Sequence, residues 1–227
     1  MKYIFTLLFL SLALFSLAQE TFNRPDIPGE IMVDIGLNYW DEEPPGLEQR
    51  GFPSKHVGIY YMRRKALNNK FSFYFGLGLG MDKFSLGDSS TLLTTVDTLI
   101  VPNEIAAPGV SFNKNRLAVT YLEIPLNLRF HPAGTQDGEG FFIGVGAMVG
   151  LRLNSHSKWK YDQGDETIIT KNKGSFNLNP VRFGLQGRVG FRGVHLFYKR
   201  YFSEVFDSAL GNVNPTHTTV GINVTGF

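Results

Sequence analysis

Five stretches of the chain alternate apolar residues with small or polar ones. In Glu30–Trp40 the apolar set is Ile31, Val33, Ile35, Leu37 and Tyr39, against Met32, Asp34, Gly36, Asn38 and Trp40. Phe71–Lys83 sets Phe71, Phe73, Phe75, Leu77, Leu79 and Met81 against Ser72, Tyr74, Gly76, Gly78, Gly80 and Asp82. In Arg116–Phe130, Leu122, Ile124, Leu126, Leu128 and Phe130 oppose Tyr121, Glu123, Pro125, Asn127 and Arg129. Phe141–Leu153 and Pro180–Phe191 repeat the pattern, with Gly144, Gly146, Gly150, Arg152, Arg182, Gln186 and Arg188 on the polar side. A period of two belongs to strands, not to amphipathic helices. Ser54–Arg64, Val194–Phe202 and His217–Gly226 show it more weakly, the first with Val57, Ile59 and Tyr61 on one face and the last with Val220, Ile222 and Val224.

These segments predict eight strands, most of them as long as the roughly 9–11 residues a tilted strand needs to cross a bilayer. A soluble eight-stranded barrel of the lipocalin kind turns its apolar face inward and a Lys-, Glu-, Ser- and Thr-rich face to water. Here the second face is glycine with scattered charge, which suits a crowded interior and not a wet surface. The apolar face is therefore expected to look outward, to lipid. The connections agree: 41–53, 84–115, 154–179 and 203–216 are each longer than 65–70, 131–140 and 192–193. Outer-membrane barrels have long extracellular loops and short periplasmic turns, so both termini are expected in the periplasm. Asn68-Asn69, Ala133-Gly134, Asp137-Gly138 and Arg192-Gly193 supply turn chemistry at the short connections. Thr91–Val101, apolar and β-branched, reads as an extension of the second hairpin above the membrane. The expected fold is all-β: an eight-stranded antiparallel up-and-down transmembrane β-barrel.

Lys2 precedes an uncharged run, Ile4–Ala18, that closes on Ser16-Leu17-Ala18. That order marks a secretory signal peptide over 1–18, leaving a barrel domain over 19–227. The final Phe227 is the terminal aromatic expected of chains inserted by the barrel-assembly machinery, although Val220, Ile222 and Val224 lie on the opposite parity, so Gly226 would have to be a bulge. Composition narrows the class further. Gly 25 and Phe 20 with only 19% charged residues favour β-structure. The net charge of +2 gives no reason to expect nucleic acid or anionic lipid as a partner. The absence of cysteine excludes disulfides, thiolate metal sites and a cysteine nucleophile.

Tyr121-Leu122-Glu123-Ile124-Pro125-Leu126-Asn127-Leu128-Arg129-Phe130, the glycine-rich Phe141–Gly150 and Phe75–Gly80 together resemble the PorT-like outer-membrane β-barrel family of Bacteroidota. The resemblance covers most of the mature chain and implies a small-bore barrel in the outer membrane of a Gram-negative bacterium. It also implies a role as accessory to protein export, as in type IX secretion, with other envelope or secretion proteins as partners. It supplies no catalytic residues.

The inward parity collects Asp34, Asn38, Asp82, Glu123, Asn127, Arg129, Arg152, Arg182, Gln186, Arg188, His195 and Lys199. An eight-stranded interior is only wide enough for side chains, so these charges are expected to pair and fill the lumen. His56, His131, His156, His195 and His217 have no metal-ligand spacing, and neither glycine run completes a nucleotide-binding loop, so no cofactor is expected. Ser155-His156-Ser157, just beyond the fifth strand, lies at the height where a lipid A-modifying enzyme would keep its Ser or His, although a polar loop rich in Ser and Lys predicts the same letters. Tyr39, Trp40, Tyr60, Tyr61, Tyr121, Tyr198 and Tyr201 lie toward strand ends and read as interfacial girdles. Trp159 and Tyr161, amid Lys158 and Lys160, read as packed loop residues before a contact patch. The expected function is non-enzymatic: an outer-membrane barrel in contact with lipid, serving export or envelope assembly.

Overall fold

The computed structural model describes residues 29–87, 90–94, 98–102, 112–135, 140–163, 165–191, 193–207 and 213–225. The expected leader over 1–18, the mature start Gln19, the Asp137-Gly138 turn and the Gly226-Phe227 end lie outside them. In chain order the strands are β1 (Glu30–Trp40), β2 (Gln49–Ala66), β3 (Phe71–Leu86), β4 (Ser90–Thr94), β5 (Thr98–Pro102) and β6 (Phe112–Phe130), followed by β7 (Phe141–Gln163), β8 (Glu166–Lys173), β9 (Val181–Phe191), β10 (Val194–Tyr201) and β11 (His217–Thr225). Eight of them, β1, β2, β3, β6, β7, β9, β10 and β11, close into an antiparallel ring; β1 pairs with β11, and β6 with β7. The other three lie at the loop end. β8 pairs with the upper part of β7, while β4 and β5 form a separate two-stranded sheet and do not extend the β3–β6 hairpin.

The parity of each strand is the expected one. Ile35, Leu77, Leu126, Val145, Leu185, Leu196 and Ile222 are exposed on the outer wall, while Asp34, Gly80, Glu123, Arg182 and Lys199 face inward and are buried. The molecule is thus apolar outside and polar inside, the reverse of a soluble carrier.

The short turns follow their chemistry. Asn68 Oδ1 accepts from the backbone N–H groups of Lys70 and Phe71, both at 2.8 Å, and closes the β2–β3 turn. Gly193 holds φ at 82° in the two-residue β9–β10 connection, a conformation that a side chain would disfavour.

The four strands β2, β3, β6 and β7 run 18, 16, 19 and 23 residues, beyond the expected boundaries. Their Ser-, Thr- and Lys-rich ends, where apolar alternation stops, continue the ladder as a wall above the apolar belt. As a result 41–48 is a shorter connection than 131–140, and the length rule read from the sequence does not hold for the first loop. The register shifts between Thr120 and Tyr121: Thr120 pairs with Asn154 and Tyr121 with Arg152, so Leu153 is an extra residue in β7. Below this bulge the even residues of β7 face inward; above it Ser155, Ser157 and Trp159 do.

The interior holds a small apolar cluster of Met32, Tyr60, Met62 and Tyr74 and a larger one at the loop end. Each of the four connections there sends residues inward: Leu47, Leu92, Phe176 with Leu178, and Val205 with Phe206. They pack on Trp40, Phe84, Leu86, Leu117, Val119 and Tyr121 and cap the lumen. The third and fourth loops are joined by backbone bonds from Asn179 to Val205 (2.9 Å) and from Asp207 to Asn177 (2.7 Å). Phe176 and Asn177 both take positive φ, near 48° and 49°, a strain offset at Phe176 by complete burial in the cap.

A charge in the middle of the outer belt is costly. Leu126→Arg is expected to destabilise the protein by about 2–4 kcal/mol in urea unfolding from lipid vesicles. Glu166→Arg, at the exposed tip of β8, is expected to change it by less than about 0.5 kcal/mol. Equal effects at the two positions would contradict the placement of the belt.

Candidate functional site

The lumen below the cap holds a closed circuit of hydrogen bonds. Lys199 on β10 donates to His56 Nε2 at 3.0 Å, to Tyr60 Oη at 3.0 Å and to Asp34 Oδ2 at 2.8 Å. An ammonium has three N–H donors, and all three are used. Because Lys199 can only donate, His56 Nε2 accepts, and His56 Nδ1 then donates to Asp82 Oδ1 at 2.7 Å. Asp82 also accepts from Arg182 Nη1 and from Asn38 Nδ2. Arg182 turns its Nε to Glu123 Oε1 at 2.9 Å. Tyr60, having accepted from Lys199, donates to Glu123 Oε2 at 2.6 Å and closes the ring. Arg188 grips Asp34 with two N–H groups, at 3.1 and 2.8 Å, and Asn223 donates to the same carboxylate. Three carboxylates thus meet three cations, with every member almost wholly buried.

Aromatic faces complete the packing. The Arg182 guanidinium lies 3.7 Å from the centroid of Tyr121 and 4.5 Å from that of Tyr201, and Arg129 lies 3.7 Å from Tyr74 and 4.4 Å from Phe142. Glycine makes the room. A Cβ on Gly80 would come within 2.4 Å of Glu123 Oε2, and one on Gly150 within 3.0 Å of Arg182 Cγ. The cavity between cap and circuit has a volume of only about 10 Å³, space for about one water.

The residues expected in the lumen divide into three groups. Asp34, Asn38, Asp82, Glu123, Arg182, Gln186, Arg188 and Lys199 are bonded together there. Asn127 and His195 point inward and are buried, and Arg129 sits lower, 3.6 Å from Glu30; the Asn127 amide makes no side-chain hydrogen bond among the described residues. Arg152 leaves the lumen and donates to the Ser175 carbonyl in the third loop.

Four of the expected girdle aromatics, Trp40, Tyr60, Tyr121 and Tyr201, are interior groups; Tyr39, Tyr61 and Tyr198 are exposed on the outer wall. Parity decides between the two sets, and closeness to a strand end does not. Tyr60 and His56, essential to the circuit, were legible as inward positions of β2 once Val57, Ile59 and Tyr61 were placed outside.

Ser155-His156-Ser157 lies within β7, not beyond it. Ser155 and Ser157 are buried on the inner side, and Ser155 Oγ donates to the Gly174 carbonyl, while His156 faces outward. Alternate residues of a strand cannot bring the histidine to its neighbouring serines. Trp159 is buried on the inner side and Tyr161 is half-buried, which fits packed residues and not a contact patch. Among the described residues no cluster of His, Asp and Glu has the arrangement of a metal site.

A closed ring, lipid-facing outside and filled inside, defines an integral membrane β-barrel protein. The family model described as outer membrane protein beta-barrel domain matches residues 18–212, and the chain belongs to that family. No curated protein matches it. Solved structures similar to it include Ail, the attachment invasion locus protein of Yersinia pestis, in complex with the heparin analogue sucrose octasulfate, at 11% identity over 88% of this chain and 100% of that one, TM-score 0.33. LpxR from Salmonella typhimurium is similar at 8% identity over 86% and 99%, TM-score 0.28. A mutant Rh. blastica porin is similar at 12% identity over 87% and 98%, TM-score 0.19. At such scores these likenesses carry no argument about this chain.

Two outcomes follow from the filled lumen. Lys199→Met leaves Asp34 short of a partner in a buried site and is expected to cost about 3–5 kcal/mol in urea unfolding. Adding Asp34→Asn is expected to cost less than the sum of the two single changes, because the residues share one network; strict additivity would argue against it. In planar bilayers the purified protein is expected to give no steady conductance, and open-channel steps would contradict the plug.

Proposed function

We propose that this chain is a non-enzymatic component of the bacterial outer membrane, working as an accessory of protein export or envelope assembly through its outer wall and its two ends. The observation that carries this reading is the sealed lumen. Among the described residues the cap packs over the lumen, and the acids and bases beneath it are buried and bonded to one another. His56, Asp82 and Lys199 would be a plausible catalytic set elsewhere, but here they are fully buried and spend their hydrogen bonds on one another. What is left for function is surface. The resemblance of Tyr121–Phe130 and Phe141–Gly150 to the PorT-like family supports export, type IX secretion in particular, over other envelope roles.

In this reading residues 1–18 direct the chain across the inner membrane, and the barrel-assembly machinery inserts it with Phe227 as part of the signal. The loop end faces outward and both termini lie in the periplasm. The lipid A-modifying alternative is the weaker one, since its residues, Ser155, His156 and Ser157, do not converge.

The test is a mild-detergent pull-down of the tagged protein from native membranes with mass spectrometry of the eluate. Stoichiometric recovery with export or other envelope proteins is the expected result. Recovery of the barrel alone would overturn the accessory role. Lipid A from a deletion strain is expected to match the wild type by mass, and a changed mass would favour the enzyme.

A further inference from the structure

The wall that β2, β3, β6, β7 and β8 raise above the apolar belt carries cations on its outer face in cross-strand register. Arg116, Lys158 and Lys171 lie directly opposite one another on three adjacent strands. Lys114 pairs with Lys160, His156 with Lys173, and Lys55 with Lys83. Neighbouring strands are about 4.8 Å apart, and like charges directly opposite each other destabilise a sheet. None of these lysines is ion-paired with a carboxylate among the described residues. Asp162, the carboxylate next to Lys160, is already engaged by Asn113 and Thr167. Burial and the charges of Lys171, Arg116, Lys158 and Lys173 push the His156 imidazole below its ordinary value, a sign of concentrated positive potential.

Beside this lattice the wall has a notch. The β2–β3 register shifts between Arg50 and Lys55, and the gap opens a cavity of about 250 Å³. Lys83, Lys114 and Arg116 bring three cations to its lining, in which no carboxylate stands. The opposite flank of the barrel is different: Arg200 is neutralised there by Asp41 at 3.0 Å.

Height identifies the occupant. Lys55 and Lys83 stand immediately above the lipid-facing Val57 and Met81 on their own strands. A group that meets these cations is therefore attached to the lipid whose chains cover the belt. From this geometry we infer that the cationic face of β2, β3, β6, β7 and β8 binds the phosphates of the outer-leaflet glycolipid, lipid A with its attached sugars. One phosphate sits in the notch, and others neutralise the cross-strand rows. Bound in this way, lipid relieves the repulsion built into the wall and fixes one side of the barrel against the leaflet, leaving the other side for protein contacts. The inference rests on the orientation proposed above, with the loop end outward.

The experiment uses the full-length protein in a non-ionic, phosphate-free detergent with lipid A as the probe, and native mass spectrometry as the readout. Wild type is expected to retain lipid A, and to retain it about tenfold less when both phosphates have been removed from the lipid. The triple variant Lys158→Gln/Lys171→Gln/Lys173→Gln is expected to lose retention by about tenfold in 0.1 M salt. Its melting temperature without lipid should not fall, because repulsion has been removed; the matching Lys→Arg variant should keep the lipid. Retention indifferent to the lipid's phosphates would overturn the site whether or not the variants fold. So would stronger binding of a soluble sulfated polysaccharide than of lipid A. The cysteine-free chain allows Glu166→Cys to be labelled in intact cells by a membrane-impermeant maleimide. Labelling without phosphate-dependent retention would sink the site alone. Retention without labelling would sink the orientation, and lipid A as the natural occupant with it.

Discussion

The interior of an eight-stranded barrel is too narrow for bulk water, so any charge that points into it must be satisfied by other side chains. That constraint organises the molecule. Lys199 donates three bonds, Arg182 bridges two carboxylates, and Tyr60 passes a hydrogen bond from Lys199 to Glu123. The circuit with its Asp34 arm draws on β1, β2, β3, β6, β9, β10 and β11, while β7 contributes the glycine that leaves space for it. Such a network also sets register. Sliding one strand by a single residue would turn its charged group toward lipid and leave its partners buried and unpaired. The bonds from Arg188 to Asp34 and from Asn223 to Asp34 join residues near the two ends of the chain, so they form only when the ring has closed. The apolar belt favours a barrel in general; the charged lumen selects this one.

The period-two pattern carried the fold class and nearly every face, because in a closed barrel inside and outside alternate without exception until a bulge intervenes. It carried most of the lumen cluster for the same reason. Closeness to a strand end is a weaker guide than parity. Tyr60 and Tyr61 are neighbours in sequence near one strand end, yet one is buried against Lys199 and the other is exposed on the outer wall. Apolar alternation marks only the lipid-facing part of a strand, because Ser, Thr and Lys pair equally well above a membrane. In β7 it stops at Leu153, while the strand runs on through Ser155 and Trp159 to Gln163. The cap was illegible, because its members come from four separate loops with no shared period.

In the proposed reading the filled lumen leaves the outer surface as the place of function. Among the described residues the cap packs over the loop end of the lumen, and the charged groups of the circuit beneath it are buried and bonded to one another. The outer wall then has two unlike surfaces: an apolar belt that encircles the barrel, and above it a basic sector confined to the strands that extend furthest. On the short-strand side the one outward cation above the belt among the described residues, Arg200, is already tied to Asp41, which Thr216 also holds through its N–H at 2.7 Å. A barrel with one basic flank has a preferred rotational setting among its neighbours in the membrane.

That flank depends on one residue. Below Leu153 the even positions of β7 point into the lumen, and without the bulge Lys158 and Lys160 would continue that parity and face inward. They would then stand among Leu117, Val119 and the cap, as cations in an apolar core with no acid to meet them. Trp159, now buried on the inner side, would be turned out above the belt. The extra residue reverses both at once. It buries the Trp159 indole on the inner side and gives the outer surface a row of charges, at the cost of one broken step in the β6–β7 ladder. The bulge is therefore the point at which a lipid-facing strand becomes a cationic one, and the length of β7 beyond it serves the surface, not the span.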